Sequence, residues 1–546
     1  MLICRLALAC LAMCPCWGGK ARGNELQFVD PTADLGIHFI HQNGISSAKM
    51  LPETTGSGAA FFDYDGDGDL DLYLVNSGHM TEGRGDALNR LYRNDGTRFV
   101  EVTAAARIPG RAYGMGVVAA DYDNDGDPDL YLTNWGEDIL YRNDGQYFTD
   151  VTEEAGLGNP LWGSSAAFLD YDNDGYLDLC VVNYVEFSVE IHPWCGRRDM
   201  DLRFYCDPLE YLPTRDFLYR NNGDGGFTEV GEAAGIVHRG NGLGVIAADF
   251  DNDGDQDLYI ANDRTPNFFY ENQGDGRFEE IGLVSGTAFS ASGAYQAGMG
   301  VDAGDYDNDG DLDLFVTNYQ LENNALYRND GLFFTEVSFQ AGMGEISLSY
   351  LGFGTGFFDY DNDGWLDLFV ANGHVHDNIE HYDELVTYAQ QAQIFHNEGG
   401  GRYVERTGEL GPGLSLDYVG RGSAFGDYDG DGDLDIALMS SGGAASILRN
   451  DGGNANNWLQ VELEGGESNR DGIGARIFLR AGALQQLRQV RAGSGFLSTS
   501  QKAPLFGLGG NGKVERLEVH WPSGRVQVLE DVHANQVISL VEPTAP

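Results

Sequence analysis

An aspartate-rich nonapeptide recurs seven times at intervals of 49 to 79 residues, and each copy is trailed by three short stretches of alternating apolar residues. This pattern predicts an all-β chain: a seven-bladed β-propeller followed by a small β-sandwich-like domain. The first copy reads Asp63-Tyr64-Asp65-Gly66-Asp67-Gly68-Asp69-Leu70-Asp71, and the others begin at Asp121, Asp170, Asp249, Asp305, Asp359 and Asp427. Behind the second copy come Leu130-Tyr131-Leu132-Thr133-Asn134, then Leu140-Tyr141-Arg142-Asn143-Asp144-Gly145, then Phe148-Thr149-Asp150-Val151-Thr152. Each stretch is too short for a helix, alternates with period two and is bounded by Gly, Asn and Asp, so each reads as a strand. A unit of about fifty residues with four strands has the dimensions of one propeller blade. An open β-solenoid would need a shorter repeat.

Ring closure has its own mark. Phe28-Val29-Asp30-Pro31-Thr32 resembles the fourth strand of a blade whose other strands are missing, and the last unit, ending Ile447-Leu448-Arg449-Asn450, lacks a fourth strand. The N-terminal strand is expected to complete that blade. The propeller thus occupies residues 27–454. From 455 to 546 the repeat stops, and alternating segments such as Asn457–Leu463, Ile473–Ile477 and Leu517–Trp521 predict a β-sandwich carrying Arg470, Arg476, Arg480, Arg488 and Arg491.

The 546 residues hold 85 Asp and Glu against 33 Lys and Arg, a net charge of −52. Such a surplus repels nucleic-acid phosphates and anionic bilayers, which are bound through clustered Lys and Arg. The acids recur among apolar strands and do not form runs, so they read as ligands awaiting a counter-ion.

Residues 1–22 read as an export signal: Arg5, the apolar run Leu6–Met13, then Gly18, Gly19 and Ala21 near a cleavage point. Leu11-Ala12-Met13-Cys14 is a loose lipobox, so a lipid anchor is the alternative to release. No segment is apolar for long enough to span a bilayer. The expected location is secreted, cell-surface or periplasmic. In an oxidising compartment Cys195 and Cys206 are expected to form a disulfide, closing a small loop for about 2–3 kcal/mol. Zinc held by this pair with His192 is the alternative. Cys180, in Leu179-Cys180-Val181-Val182, reads as a buried small residue.

The signature has the donor set of a calcium loop. Calcium takes six to eight hard oxygens from a loop able to bend around it. Position one is Asp63, Asp121, Asp170, Asp249, Asp305, Asp359 and Asp427, and position three is Asp65, Asp123, Asp172, Asp251, Asp307, Asp361 and Asp429. Position five is Asp67, Asp125, Asp174, Asp253, Asp309, Asp363 and Asp431, and position nine is Asp71, Asp129, Asp178, Asp257, Asp313, Asp367 and Asp435. Position six is always Gly, where a tight turn requires positive φ. Position seven varies (Asp69, Asp127, Tyr176, Asp255, Asp311, Trp365, Asp433), as expected of a residue that ligates through its backbone carbonyl. Position two is aromatic, for packing between blades. An EF-hand is excluded, because position twelve is Leu74, Leu132, Val181, Ile260, Val316, Val370 and Leu438, where a bidentate Glu belongs. Empty, four converging carboxylates would repel one another. A crowded, flexible cage suits calcium better than magnesium, and about seven ions are expected.

These loops resemble the FG-GAP or VCBS-type repeats of integrin α-subunit propellers. Combined with Ser468-Asn469-Arg470-Asp471-Gly472-Ile473-Gly474-Ala475-Arg476, Phe506-Gly507-Leu508-Gly509 and Trp521-Pro522-Ser523-Gly524, they are similar to the cartilage acidic protein/UnbV-like family. The resemblance covers nearly all of the chain beyond the leader. It implies an extracytoplasmic, calcium-binding, integrin-α-like propeller with an appended ASPIC/UnbV-type domain, and it implies no catalytic activity.

Strand order places the metal loops on one face of the ring. The two long insertions, Tyr184–Asp216 in blade three and Gly373–Gln393 in blade six, fall on the other. Loops on a rigid scaffold carry recognition more often than the scaffold does. Trp194, Arg197, His374 and His376 are therefore the expected contacts for an extracellular protein or glycan, with no catalytic residue. The enzymatic alternative is a lyase assisted by calcium, using Arg197, Arg198 or Tyr205, or a hydrolase with a metal on His374, His376, Asp377 and His381.

Overall fold

A computed structural model describes residues 26–81, 87–381 and 383–544. Each Asp-rich signature there joins the first and second strands of an antiparallel four-stranded sheet. Blade two shows the plan: Tyr113–Ala120, the loop, Asp129–Trp135, Ile139–Asn143 and Phe148–Asp150. Seven such sheets occur among the described residues, and their first strands contact one another in a closed circle. In the seventh, Gly420–Gly426, Asp435–Ser440 and Ser446–Asp451 are completed by Gln27–Val29, with Phe28 opposite Asn450. The N-terminal strand closes the ring as its sequence predicts.

Two seven-fold contacts hold neighbouring blades. Every position-two aromatic is buried against a ring on the fourth strand of the next blade, from Tyr64–Phe148 round to Tyr428–Phe99, with centroids 5.6–6.3 Å apart. The second contact is an Asn ending each third strand. Its side-chain amide donates to the position-two carbonyl of the preceding blade: Asn143 to Tyr64, Asn221 to Tyr122, Asn272 to Tyr171, Asn329 to Phe250, Asn397 to Tyr306 and Asn450 to Tyr360. Asn94 to Tyr428, at 2.7 Å, closes the circle. At about 1 kcal/mol net per buried hydrogen bond, this belt matters to the whole ring. The same Asn-Asp-Gly stretch looks like nothing more than a turn signal in sequence.

The C-terminal region forms two packed sheets. Asn457–Glu464 lies between Leu505–Gly509, antiparallel, and Gln536–Val541, parallel. The other sheet orders Leu484–Gln489, Arg476–Ala481, Lys513–His520 and Val526–His533. Leu459, Val461, Ile477, Leu479, Val519 and Trp521 fill the space between, in one apolar cluster with Val118 and Phe168 of blades two and three.

This domain covers the metal-loop face and sends a segment down the ring axis. The Leu497 and Thr499 backbones pair with Val117 and Ala59 on the first strands of blades two and one, Gly495 pairs with Val301 of blade five, and Ala492 with Phe168 of blade three. Gln501 reaches Phe425 of blade seven. Phe496 and Leu497 are buried at the centre, with the Phe496 ring 5.0 Å from that of Phe353. The plug makes the propeller and its tail one packed body.

Candidate metal centres and the opposite face

Each loop folds around its own carboxylates. In loop two, Asp121 accepts from the backbone N–H groups of Asp125 and Gly126, at 3.0 and 2.8 Å. Position five accepts from the N–H of position seven, as in Asp125 with Asp127. Position nine accepts from position two with one oxygen and from the third-strand Asn with the other, as Asp129 does from Tyr122 and Asn143. The bend needs two left-handed residues. Position six is Gly, with φ from 86° to 103° across the seven copies, and position four is Gly or Asn at 55° to 72°. Asn tolerates that region better than other residues bearing a side chain, a constraint that the spacing of acids alone does not expose.

In four of the seven loops position three leaves an oxygen over. Asp65, Asp123, Asp172 and Asp307 each bury an Oδ1 that has no hydrogen-bond partner. An unpaired buried carboxylate oxygen is expensive, and a cation is what would satisfy it. Ligand oxygens of Asp63, Asp65 and Asp71 lie within 4.8 Å of one another, as do those of Asp121, Asp123 and Asp129, and of Asp170, Asp172 and Asp178. Burial pushes Asp71 up to about 8 and Asp170 and Asp427 to about 7, with neighbouring carboxylates adding to the shift. Asp129, Asp178, Asp257, Asp313 and Asp435 are held well above the carboxylate range, again chiefly by burial. Hard oxygens converging at this density fit calcium.

Asp69, Asp127, Asp255 and Asp311 stand at the loop margins, Tyr176 is exposed, and Trp365 packs beside Gly399. Asp433 is the exception, fully buried and accepting from Asn454. Loops four and six depart from the common pattern. The tail residue Arg476 lies 2.9 Å from Asp249, giving loop four a fixed counter-charge beside Asp251 and Asp253. In loop six His396 sits 3.1 Å from Asp367 and joins Asp361 in the cluster, and its hydrogen bond to Asp367 lifts the imidazole to about 9.

These roles predict a split within one loop. Asp172→Ala is expected to remove one bound calcium per chain, while Tyr176→Ala leaves the stoichiometry unchanged. Metal content after equilibrium dialysis reads both. The reverse outcome would show that the side chain at position seven, and not that at position three, holds the ion.

On the opposite face the blade-three insertion reaches across the axis. Cys195 and Cys206 form the expected disulfide, and Cys180 is free and buried. Arg203 O accepts from Asn378 Nδ2 of the blade-six insertion, and the Tyr205 hydroxyl donates to Glu53 at 3.0 Å. Arg198 lies over the Trp194 ring, and Arg197 pairs with Asp199 in solvent. His374 is buried, where an exposed partner contact was expected: its Nδ1 accepts from the His376 N–H and its Nε2 faces the Tyr319 hydroxyl. It orders the insertion and is not free to touch a partner. His376 stacks on Tyr205, and Asp377 is tied to Lys49 at 2.6 Å. Arg421, fully buried, donates to the carbonyls of Thr54, Gly373, Gly420 and His374, knitting this face together.

Closed ring, repeated cation loops and plugging tail define a class: a β-propeller of metal-loop blades capped by its own C-terminal domain. The chain matches the FG-GAP-like repeat at residues 63–132, 121–181, 211–260, 249–316 and 305–370, and ASPIC and UnbV at 465–546. It belongs to the FG-GAP-like repeat family, with an ASPIC and UnbV domain at its C-terminus. Cartilage acidic protein 1 of Homo sapiens is 27% identical over 341 residues, covering 58% of this chain and 46% of that protein. The Xenopus tropicalis protein is 27% identical over 334 residues, covering 58% and 47%. The chain thus spans about half the length of the curated relatives it matches. Among solved structures, an Agrocybe aegerita lectin described for specific recognition of non-reducing terminal N-acetylglucosamine aligns with a TM-score of 0.37 at 17% identity, over 64% of this chain and 79% of that one.

The expected export signal lies outside the described residues. Among those described, no helix is long and apolar enough to cross a membrane.

Proposed function

We propose that this protein is an exported propeller that binds about seven calcium ions and serves, without catalysis, as a rigid platform for a protein or glycan partner. The observation that carries the reading is the contrast between the two faces. The metal-loop face is covered by the tail domain, and its carboxylates point into their own loops. The other face is built from insertions that break the repeat, one of them closed by Cys195–Cys206. Disulfides persist in oxidising compartments, which supports export. A platform already ordered by its scaffold spends little further entropy on binding.

The test is capture of protein and glycan arrays by the calcium-loaded chain. Trp194→Ala, Arg197→Ala and His376→Ala together should lower capture about tenfold or more, about 1.4 kcal/mol or above. The melting temperature in calcium should stay within a few degrees. Capture that survives all three changes would move the working surface elsewhere.

A further inference from the structure

Where the insertions meet over the ring axis they enclose a cavity of about 260 Å³. Its floor is Phe353 and Met299 at the starts of first strands, in one apolar cluster with the plug residues Phe496 and Leu497. Tyr184, Phe204 and Tyr319 supply aromatic wall, and the disulfide-linked arm forms one side. Three carboxylates also line it: Asp207, Asp263 and Glu322.

Their charge is incompletely answered. One guanidinium faces three carboxyl groups: Arg264 lies 3.3 Å from Asp207 and also bears on Asp263 and Glu322, while burial raises Asp263 to about 7 and Glu322 above its ordinary value. Among the described residues neither Asp263 nor Glu322 forms an ion pair. Asp263 accepts from the Tyr184 hydroxyl at 2.5 Å, and Glu322 from the Ala297 N–H at 2.7 Å, which orients both groups without neutralising them. His376, also in the lining, has an Nδ1 with no hydrogen-bond partner. Oriented carboxylates and aromatic walls have a common complement. A guanidinium or ammonium group satisfies acceptors through its N–H bonds and is attracted to ring faces. An anion would meet three carboxyl groups against one guanidinium, and a purely apolar group would leave the acceptors unpaired. The volume suits a single head group and is below that of a drug-sized site.

We propose that this cavity binds a compact organic cation: the guanidinium or ammonium end of a basic side chain on the partner. The proposal rests on the reading of the insertion face as the working face, and it names the chemistry that face selects. The probes are Nα-acetyl-arginine amide, Nα-acetyl-lysine amide and the uncharged Nα-acetyl-citrulline amide. Saturation-transfer NMR with full-length protein in excess calcium keeps the probes from competing at the metal loops. The arginine or lysine probe should bind at least fivefold more tightly than the citrulline probe. Asp263→Asn and Glu322→Gln keep the acceptor oxygens for Tyr184 and Ala297, and each should weaken the cationic probe about fivefold or more. A matched change on the far side, Asp95→Asn, should leave binding unchanged. Equal binding of citrulline, no binding by either cation, or undiminished affinity in the Asp263→Asn/Glu322→Gln double variant would overturn the proposal. Because the probe comparison uses the unaltered chain, it stands even if a variant folds poorly. Array capture that depends on Trp194 and Arg197 without cation binding would sink the cavity proposal alone and leave the platform standing.

Discussion

Removing calcium is expected to lower the thermal midpoint by on the order of 10 °C. A ligand that binds only the native state stabilises it by RT ln(1 + [L]/Kd) per site. At millimolar calcium and an extracellular-type Kd near 10⁻⁴ M, each loop contributes about 1–1.5 kcal/mol. Seven loops then sum to about 7–10 kcal/mol, and a chain of this size moves its midpoint by about 1 °C per kcal/mol. The buried, unpartnered Oδ1 atoms of Asp65, Asp123, Asp172 and Asp307 point the same way, since without an ion they carry a desolvation cost that the neighbouring third-strand Arg residues offset only in part. The loops also hold the position-two residues whose carbonyls accept the Asn belt, so a slackened loop loosens contact between blades. Calorimetry with and without excess chelator, with metal loss verified by elemental analysis, reads the effect. An unchanged midpoint would remove calcium from the account.

The second large effect is a change of sign. Gly58 lies just before the first strand of blade one and does not have positive φ. By backbone entropy alone, Gly→Ala at a compatible position stabilises by about 0.4–1 kcal/mol. Here the added Cβ would stand 1.8 Å from the Leu497 carbonyl oxygen and 2.7 Å from its carbon, both main-chain atoms of the plug. One of the two segments must move, and with it the Leu497–Val117 and Thr499–Ala59 pairing. Overpacking of this kind costs about 1–3 kcal/mol, so Gly58→Ala should destabilise by about 2 kcal/mol. Gly158→Ala is the control, since nothing lies within 4 Å of its added Cβ and its φ is ordinary. Chemical denaturation separates the two. A stabilised Gly58→Ala would mean that the tail segment does not occupy the ring in solution.

The reach of sequence reasoning follows from where each constraint acts. The converging-carboxylate loops were legible because residue types recur at fixed short spacing: acids at one, three, five and nine, Gly at six, freedom at seven. The blades were legible because period-two strands bounded by turn residues repeat, and Phe28 opposite Asn450 was foreseeable because one unit lacked the strand that the N-terminus supplies. The pairing of Cys195 with Cys206 needed only their proximity and an oxidising compartment. These are local rules, and a chain states its local rules in order.

Long-range placement was decided by the tertiary structure. Arg470, Arg476, Arg480, Arg488 and Arg491 stand out in the sequence only as a higher share of basic residues than in the propeller; in the folded chain Arg476 and Arg491 ion-pair with Asp249 and Asp302, and Arg488 is half-buried near Asp305 and Asp359. The stretch Ala492–Thr499 carries no metal or strand signature, yet it threads the ring, because only there do its backbone groups and Phe496 find partners. His374 shares with His376 the spacing of a metal or contact pair, but burial beneath the insertion consumes its ring nitrogens. The sequence by itself determined the repeat, the clustering of carboxylates in its loops and the closure of the ring, each set by neighbours within one unit or by one missing strand. Which face is covered, which is open, and that the axis is filled were decided only when residues hundreds of positions apart competed to bury the same apolar surface and satisfy the same backbone groups.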